Sequence, residues 1–139
     1  MNIIADSNYF IALANPNDTL HKKAIQISNR IDMNGDVLCI NNLVFIEIVT
    51  IISQKISKDI SMRIGEDILS EKDVSFLKFS EKDFNITWNI FKDINYKNIS
   101  FVDCSIITSL KYFDTNTILT FDLTDFNILN KNYKFKFYF

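Results

Sequence analysis

Apolar positions along this chain alternate between short continuous runs and longer stretches with helical spacing. Residues 2–5 form the first short run, which predicts a buried strand followed by a helix or turn reaching residue 14. Asn15-Pro16-Asn17-Asp18 breaks the pattern, with Asp18 placed to cap the next helix. Leu20, Ala24, Ile27 and Ile31 then recur at helical spacing. Asn34-Gly35-Asp36 reads as a turn, residues 37–40 as a second strand, and Asn41-Asn42 as the cap of a long helix running to residue 55. A further amphipathic helix is predicted over 59–69, carrying Ile60, Ile64 and Ile68 on one side.

Residues 74–79 predict a third strand. Ser80-Glu81-Lys82-Asp83 has capping-box spacing, and Phe84, Trp88 and Phe91 form a stripe on the helix behind it, expected to face the core rather than nucleobases. Ser100 opens another helix to residue 113, and residues 117–121 read as a fourth strand. The tail over 133–139 alternates aromatic residues with Lys134 and Lys136, the pattern of an edge strand protected by charge. Strands alternating with helices predict an α/β three-layer sandwich, a mostly parallel five-stranded sheet flanked by helices. At 139 residues the chain suits a single domain over 1–139, long enough to bury a core.

Composition removes several classes. A hydrophobic content of 47% excludes a disordered chain, and Gly 2 with Pro 1 argues against a turn-rich all-β architecture. No run approaches the ~20 apolar residues of a spanning helix. No basic start precedes an apolar block as in a signal peptide, so a soluble cytoplasmic protein with no membrane partner is expected. Cys39 and Cys104 fit no metal-ligand or redox spacing and are expected as buried thiols. His21 is the single histidine, which excludes paired-histidine nuclease and multi-histidine zinc chemistry. The net charge of −2 shows no basic footprint for nucleic acid. Gathering four carboxylates around a cation would leave the rest of the chain near +2 (−2 + 4), which permits a nucleic-acid partner without supporting one.

Four carboxylates stand inside or at the end of apolar runs: Asp6, Glu47, Asp103 and Asp122. An ionised carboxylate in apolar surroundings needs a paired charge or a metal to offset its desolvation. The only arginines, Arg30 and Arg63, lie far from all four in sequence. Asp6 and Asp122 follow strands directly, while Asp103 and Glu47 fall in the first two turns of helices that follow strands. All four can therefore converge outside the carboxyl ends of a parallel sheet, where such folds bind ligands. Structural roles compete. Asp6 fits a helix cap, Ser100-x-x-Asp103 a capping box, and Asp122 a turn with Asp125 three residues on. Glu47 has no Lys or Arg within four residues and the weakest structural excuse.

The ordered set Asp6-Ser7-Asn8, Glu47, Ser100-Phe101-Val102-Asp103 and Leu119-Thr120-Phe121-Asp122, with Asp125-Phe126 beyond, resembles the PIN-domain family, and within it the VapC-type toxins of toxin–antitoxin pairs. The resemblance runs from Asn2 to residue 137. It implies a Mg²⁺- or Mn²⁺-dependent ribonuclease that leaves 5′-phosphate and 3′-hydroxyl ends. Asp6, Glu47, Asp103 and Asp122 would be the catalytic, metal-holding acids, with Asp125 the alternative fourth. Ser7, Asn8 and Thr120 would support them. RNA substrate, an antitoxin protein and a second copy of the chain are the partners it implies.

Two other readings stand beside it. A phosphatase with Asp6 as nucleophile lacks the second acid of an Asp-x-Asp pair, since Asn8 occupies that position. A catalytically inactive PIN-like or receiver-like module would bind a partner only, and gives Glu47 no reason to sit in an apolar stripe.

Overall fold

The computed structural model describes residues 1–139. Five strands, β1 (Asn2–Ala5), β2 (Val37–Asn41), β3 (Val74–Leu77), β4 (Thr117–Leu119) and β5 (Lys136–Phe137), form one sheet in the order β3-β2-β1-β4-β5. Every pairing is parallel, with Ile4 opposite Cys39 on one side and Ile118 on the other. Seven helices flank it: α1 (Ser7–Ala14), α2 (His21–Asn34), α3 (Asn42–Lys55), α4 (Lys58–Leu69), α5 (Glu81–Asp93), α6 (Phe101–Tyr112) and α7 (Leu123–Tyr133).

The burial of the central strand has a direct cause. Ile3, Ile4 and Ala5 are fully buried, as expected where helices cover both faces of a parallel strand. The chain builds outward from β1 to β2 and β3, then returns past β1 to place β4 and β5 on its other side. That reversal puts the topological switch point between the carboxyl ends of β1 and β4, where open α/β sheets bind ligands.

Most predicted elements are present, and four details differ. β3 and β4 end two residues early, at Leu77 and Leu119, because the following segments turn to cap α5 and to meet Asp6. The tail pairs only over Lys136–Phe137. Residues 123–133 form a helix where a turn was expected, with Phe126 and Leu129 fully buried. The Phe84/Trp88/Phe91 stripe is not core: Phe84 is 50% and Trp88 47% exposed. α5 meets α6 through buried Thr87, whose hydroxyl lies 2.7 Å from that of Thr108, and the aromatic rings lie around Phe101 at the rim.

One buried polar cluster sets the sheet end. Asn41 caps α3 by accepting from the N–H groups of Leu43 and Val44, and its amide donates to the Ser105 carbonyl and to the hydroxyls of Ser105 and Ser109. All three side chains are fully buried. The start of α3 is thereby fixed against α6.

Candidate active site

Asp6 leaves β1 at the switch point. Its backbone N–H donates to the Leu119 carbonyl at 2.9 Å, extending the β1–β4 pairing by one residue. Its carboxylate caps α1 by accepting from the Ser7 N–H at 2.7 Å. The other oxygen accepts from the Thr120 hydroxyl at 2.7 Å and the Asn8 amide at 2.9 Å. Thr120 also accepts from Asn8 and from the Asp122 N–H, so one buried hydroxyl joins the acids that follow β1 and β4. Asn8 completes the clamp by accepting from the Phe121 N–H at 3.1 Å.

Glu47 arrives from the second turn of α3. The buried stripe of that helix is Val44, Ile48 and Ile52; Glu47 lies at its edge, half-buried. Its Oε2 accepts from the Ser7 hydroxyl at 3.0 Å. Asp103 stands in the first turn of α6, where one oxygen accepts from the Ser100 N–H at 2.9 Å in a complete capping box. Asp122 caps α7 by accepting from the Asp125 N–H. The structural roles weighed from sequence are thus real for Asp6, Asp103 and Asp122.

The acids raise one another's affinity for protons. Burial pushes the Asp6 carboxyl up to about 7, against the pull of the Thr120 hydroxyl, and the charges of Asp103 and Glu47 push the same way. Burial likewise pushes Asp103 up to about 6, with Asp122 and Glu47 adding repulsion. Asp125 is raised by desolvation and by Asp122. Asp103 therefore feels Asp6, Glu47 and Asp122, whereas Asp125 feels Asp122 alone. No lysine or arginine pairs with any of these acids: the single ion pair joins the Met1 amine to Asp36.

As the side chains stand, no three acids close into a ligand shell. The hydrogen bonds explain why, since each repelled carboxylate rests on a nearby backbone N–H or hydroxyl. Glu47, Asp103 and Asp122 each keep one oxygen free of those bonds. An all-carboxylate donor set with mutual repulsion and no cationic partner fits a hard divalent cation. His21 does not contribute; its Nδ1 lies 2.8 Å from the Ala12 carbonyl. Cys39 and Cys104 are buried thiols pushed up to about 11 by desolvation. A cleft of about 580 Å³ lies at the amino ends of β2 and β3, among Ile31, Val37 and Val74, and holds none of the acids.

An all-parallel sheet with an acid centre at its switch point defines the class of the domain. The PIN-domain model matches residues 3–131, and the chain belongs to the PIN-domain family, a family of nucleases. In structure it is similar to VapC20 of Mycobacterium tuberculosis, a sarcin–ricin loop cleaving toxin. That match has 17% identity and a TM-score of 0.78, over 94% of this chain and 95% of that one. It is also similar to a chain of VapBC2 from Rickettsia felis, solved bound to a promoter DNA fragment. There the identity is 14% and the TM-score 0.63, over 99% and 98%. No curated protein matches in sequence. The fold is that of the VapC toxins, and no helix is long and apolar enough to cross a membrane.

Proposed function

We propose that the protein is a metal-dependent endoribonuclease, the toxin of a toxin–antitoxin pair acting in the cytoplasm. The observation that carries the reading is the convergence of Asp6, Glu47, Asp103 and Asp122, with no cation of the chain to offset them. Family membership supports a nuclease. The toxin assignment draws on likeness to VapC20 and to a VapBC2 assembly, which also makes an antitoxin the expected partner; a second copy of the chain is expected from the family resemblance alone.

Asp6, Glu47, Asp103 and Asp122 would hold Mg²⁺ or Mn²⁺. Such an ion, when bound, supplies an activated water and offsets charge at the phosphodiester. Asp122 is preferred to Asp125 as the fourth acid because it neighbours Asp103. Ser7 orients Glu47, and Asn8 and Thr120 fix both Asp6 and the chain entering Asp122. Asp6 and Asp103 must both lose their protons to hold the ion, so protons compete with metal and metal uptake should strengthen as pH rises through 6 and 7.

Mapping the ends of cleaved RNA tests the reading. Attack of an activated water on phosphorus with departure of the 3′-oxygen gives 5′-phosphate and 3′-hydroxyl ends. Cyclic 2′,3′-phosphate ends would show attack by the RNA's own 2′-hydroxyl and contradict it.

A further inference from the structure

The ammonium of Lys23, in the first turn of α2, is held over two aromatic rings, 4.5 Å from the centroid of Phe139 and 5.6 Å from that of Phe121. Phe121 is the residue between Thr120 and Asp122, and its backbone is clamped by Asn8. The ammonium therefore lies against the ring of the residue that joins Thr120 to Asp122 in the chain. Farther along α2, Gln26, Ile27 and Arg30 join Lys23 and the Phe139 ring around a cleft of about 170 Å³. Lys23 and Arg30 are two turns apart on one helix face, about 10 Å along the axis. Neither has a carboxylate within 4.0 Å.

Two unneutralised cations, an amide and an exposed ring suit a ligand that combines phosphate with a flat base. Arginine offers phosphate a bidentate fork and lysine a point charge, while bases stack on aromatic faces. An acidic peptide would use the cations but not the ring. Contact of Lys23 with the ring of Phe121, the chain neighbour of Asp122, favours a ligand that also reaches the acid-bearing end of the sheet.

We propose that this cleft is a subsite for the RNA strand flanking the cleavage point. Lys23 and Arg30 hold backbone phosphates there, and the Phe139 ring takes an unpaired base. The inference rests on the ribonuclease reading. It also supplies a phosphate grip in an arginine-poor chain, since one of its two arginines stands here.

Binding of a fluorescein-labelled, mixed-sequence, single-stranded RNA oligonucleotide tests it. Fluorescence anisotropy is read on Asp103→Asn protein, which leaves the RNA intact, with cleavage by otherwise wild-type protein run alongside. Adding Lys23→Gln and Arg30→Gln together should weaken binding on the order of tenfold. The slope of log K against log salt should fall by about 1.4, the counterion release of two single-strand phosphate contacts at about 0.7 each. Phe139→Ala should weaken binding with the slope unchanged. Lys111→Gln, in the last turn of α6, should leave both unchanged. Unaltered affinity and slope in the double variant, with wild-type protein cleaving RNA, would overturn the cleft and leave the nuclease reading intact. Loss of polyglutamate binding without loss of RNA binding would also overturn it, giving the cleft to an acidic peptide. Wild-type protein that neither cleaves nor binds RNA would overturn both.

Discussion

The Ser7 hydroxyl donates to Glu47 Oε2 at 3.0 Å, joining the first turn of α1 to the second turn of α3 across the acid centre. Ser7 thus serves two acids, because its N–H donates to Asp6 at 2.7 Å. Ser7→Ala removes the tie to Glu47 and keeps the cap at Asp6. The expected loss is about 1 kcal/mol of stability. The expected fall in RNA cleavage is ~10-fold, the usual cost of losing a group that orients a metal ligand. Thermal melting and initial cleavage rates read the two separately.

Asn8 links Asp6, Thr120 and the Phe121 backbone through three hydrogen bonds. Asn8→Ala leaves the Phe121 N–H and one Asp6 oxygen short of a partner. We expect a stability loss of about 1–3 kcal/mol. Cleavage should fall by roughly 10–100-fold. Asn8→Asp should do no better, since an ionised carboxylate cannot donate to Asp6 and adds repulsion beside it. Gain of phosphatase activity in Asn8→Asp would favour the Asp-x-Asp alternative.

The raised carboxyls give a signed pH dependence. Asp6 at about 7 and Asp103 at about 6 bind protons more tightly folded than unfolded, where 3.8 is ordinary. The stability this contributes is full below pH ~4 and is lost as pH rises through the folded values. Asp103→Asn removes one such group and keeps an oxygen for the Ser100 N–H. The metal-free variant should therefore gain on metal-free wild type in melting temperature as pH rises from about 4 to above 6. A melting difference that is flat across that range would contradict the burial of Asp103's charge.

Divalent metal should act on the same groups in the opposite sense. Mn²⁺ added above about pH 7 should raise the wild-type melting temperature by offsetting the repulsion, and EDTA should reverse the rise. A binding-only module would show no rise.

Asn41→Ala strips six hydrogen bonds from a fully buried site and leaves the Ser105 and Ser109 hydroxyls facing a void. A loss of about 2–4 kcal/mol is expected in denaturant unfolding. Asn41→Ser restores a helix cap and should recover part of it.

Much of this organisation was legible in the sequence, for physical reasons. The apolar runs at 2–5 and 37–40 mark strands covered on both faces, and the acids behind strands mark the ligand end of a parallel sheet. Asp6, Asp103 and Asp122 proved ambiguous because one carboxylate can cap a helix and face the acid centre at once. α7 was missed although Phe126, Leu129 and Tyr133 keep helical spacing. Asparagine and lysine residues interspersed among them dilute the signal, and Asp122 reads equally as a turn. The Trp88 stripe shows the limit of periodicity, which identifies a common face without saying what covers it. Nor does any sequence pattern announce that Asn41 reaches Ser105 and Ser109, or that Lys23 meets Phe121 and Phe139. Those contacts exist only once the elements are packed.

Cleavage of RNA by wild-type and Asp103→Asn protein, in Mg²⁺ or Mn²⁺ and again with EDTA, tests the acid centre most directly. A carboxylate–metal ribonuclease predicts cleavage by wild type, its abolition by EDTA, and none by a variant that folds normally. Cleavage that survives EDTA, or that persists in Asp103→Asn, would contradict it.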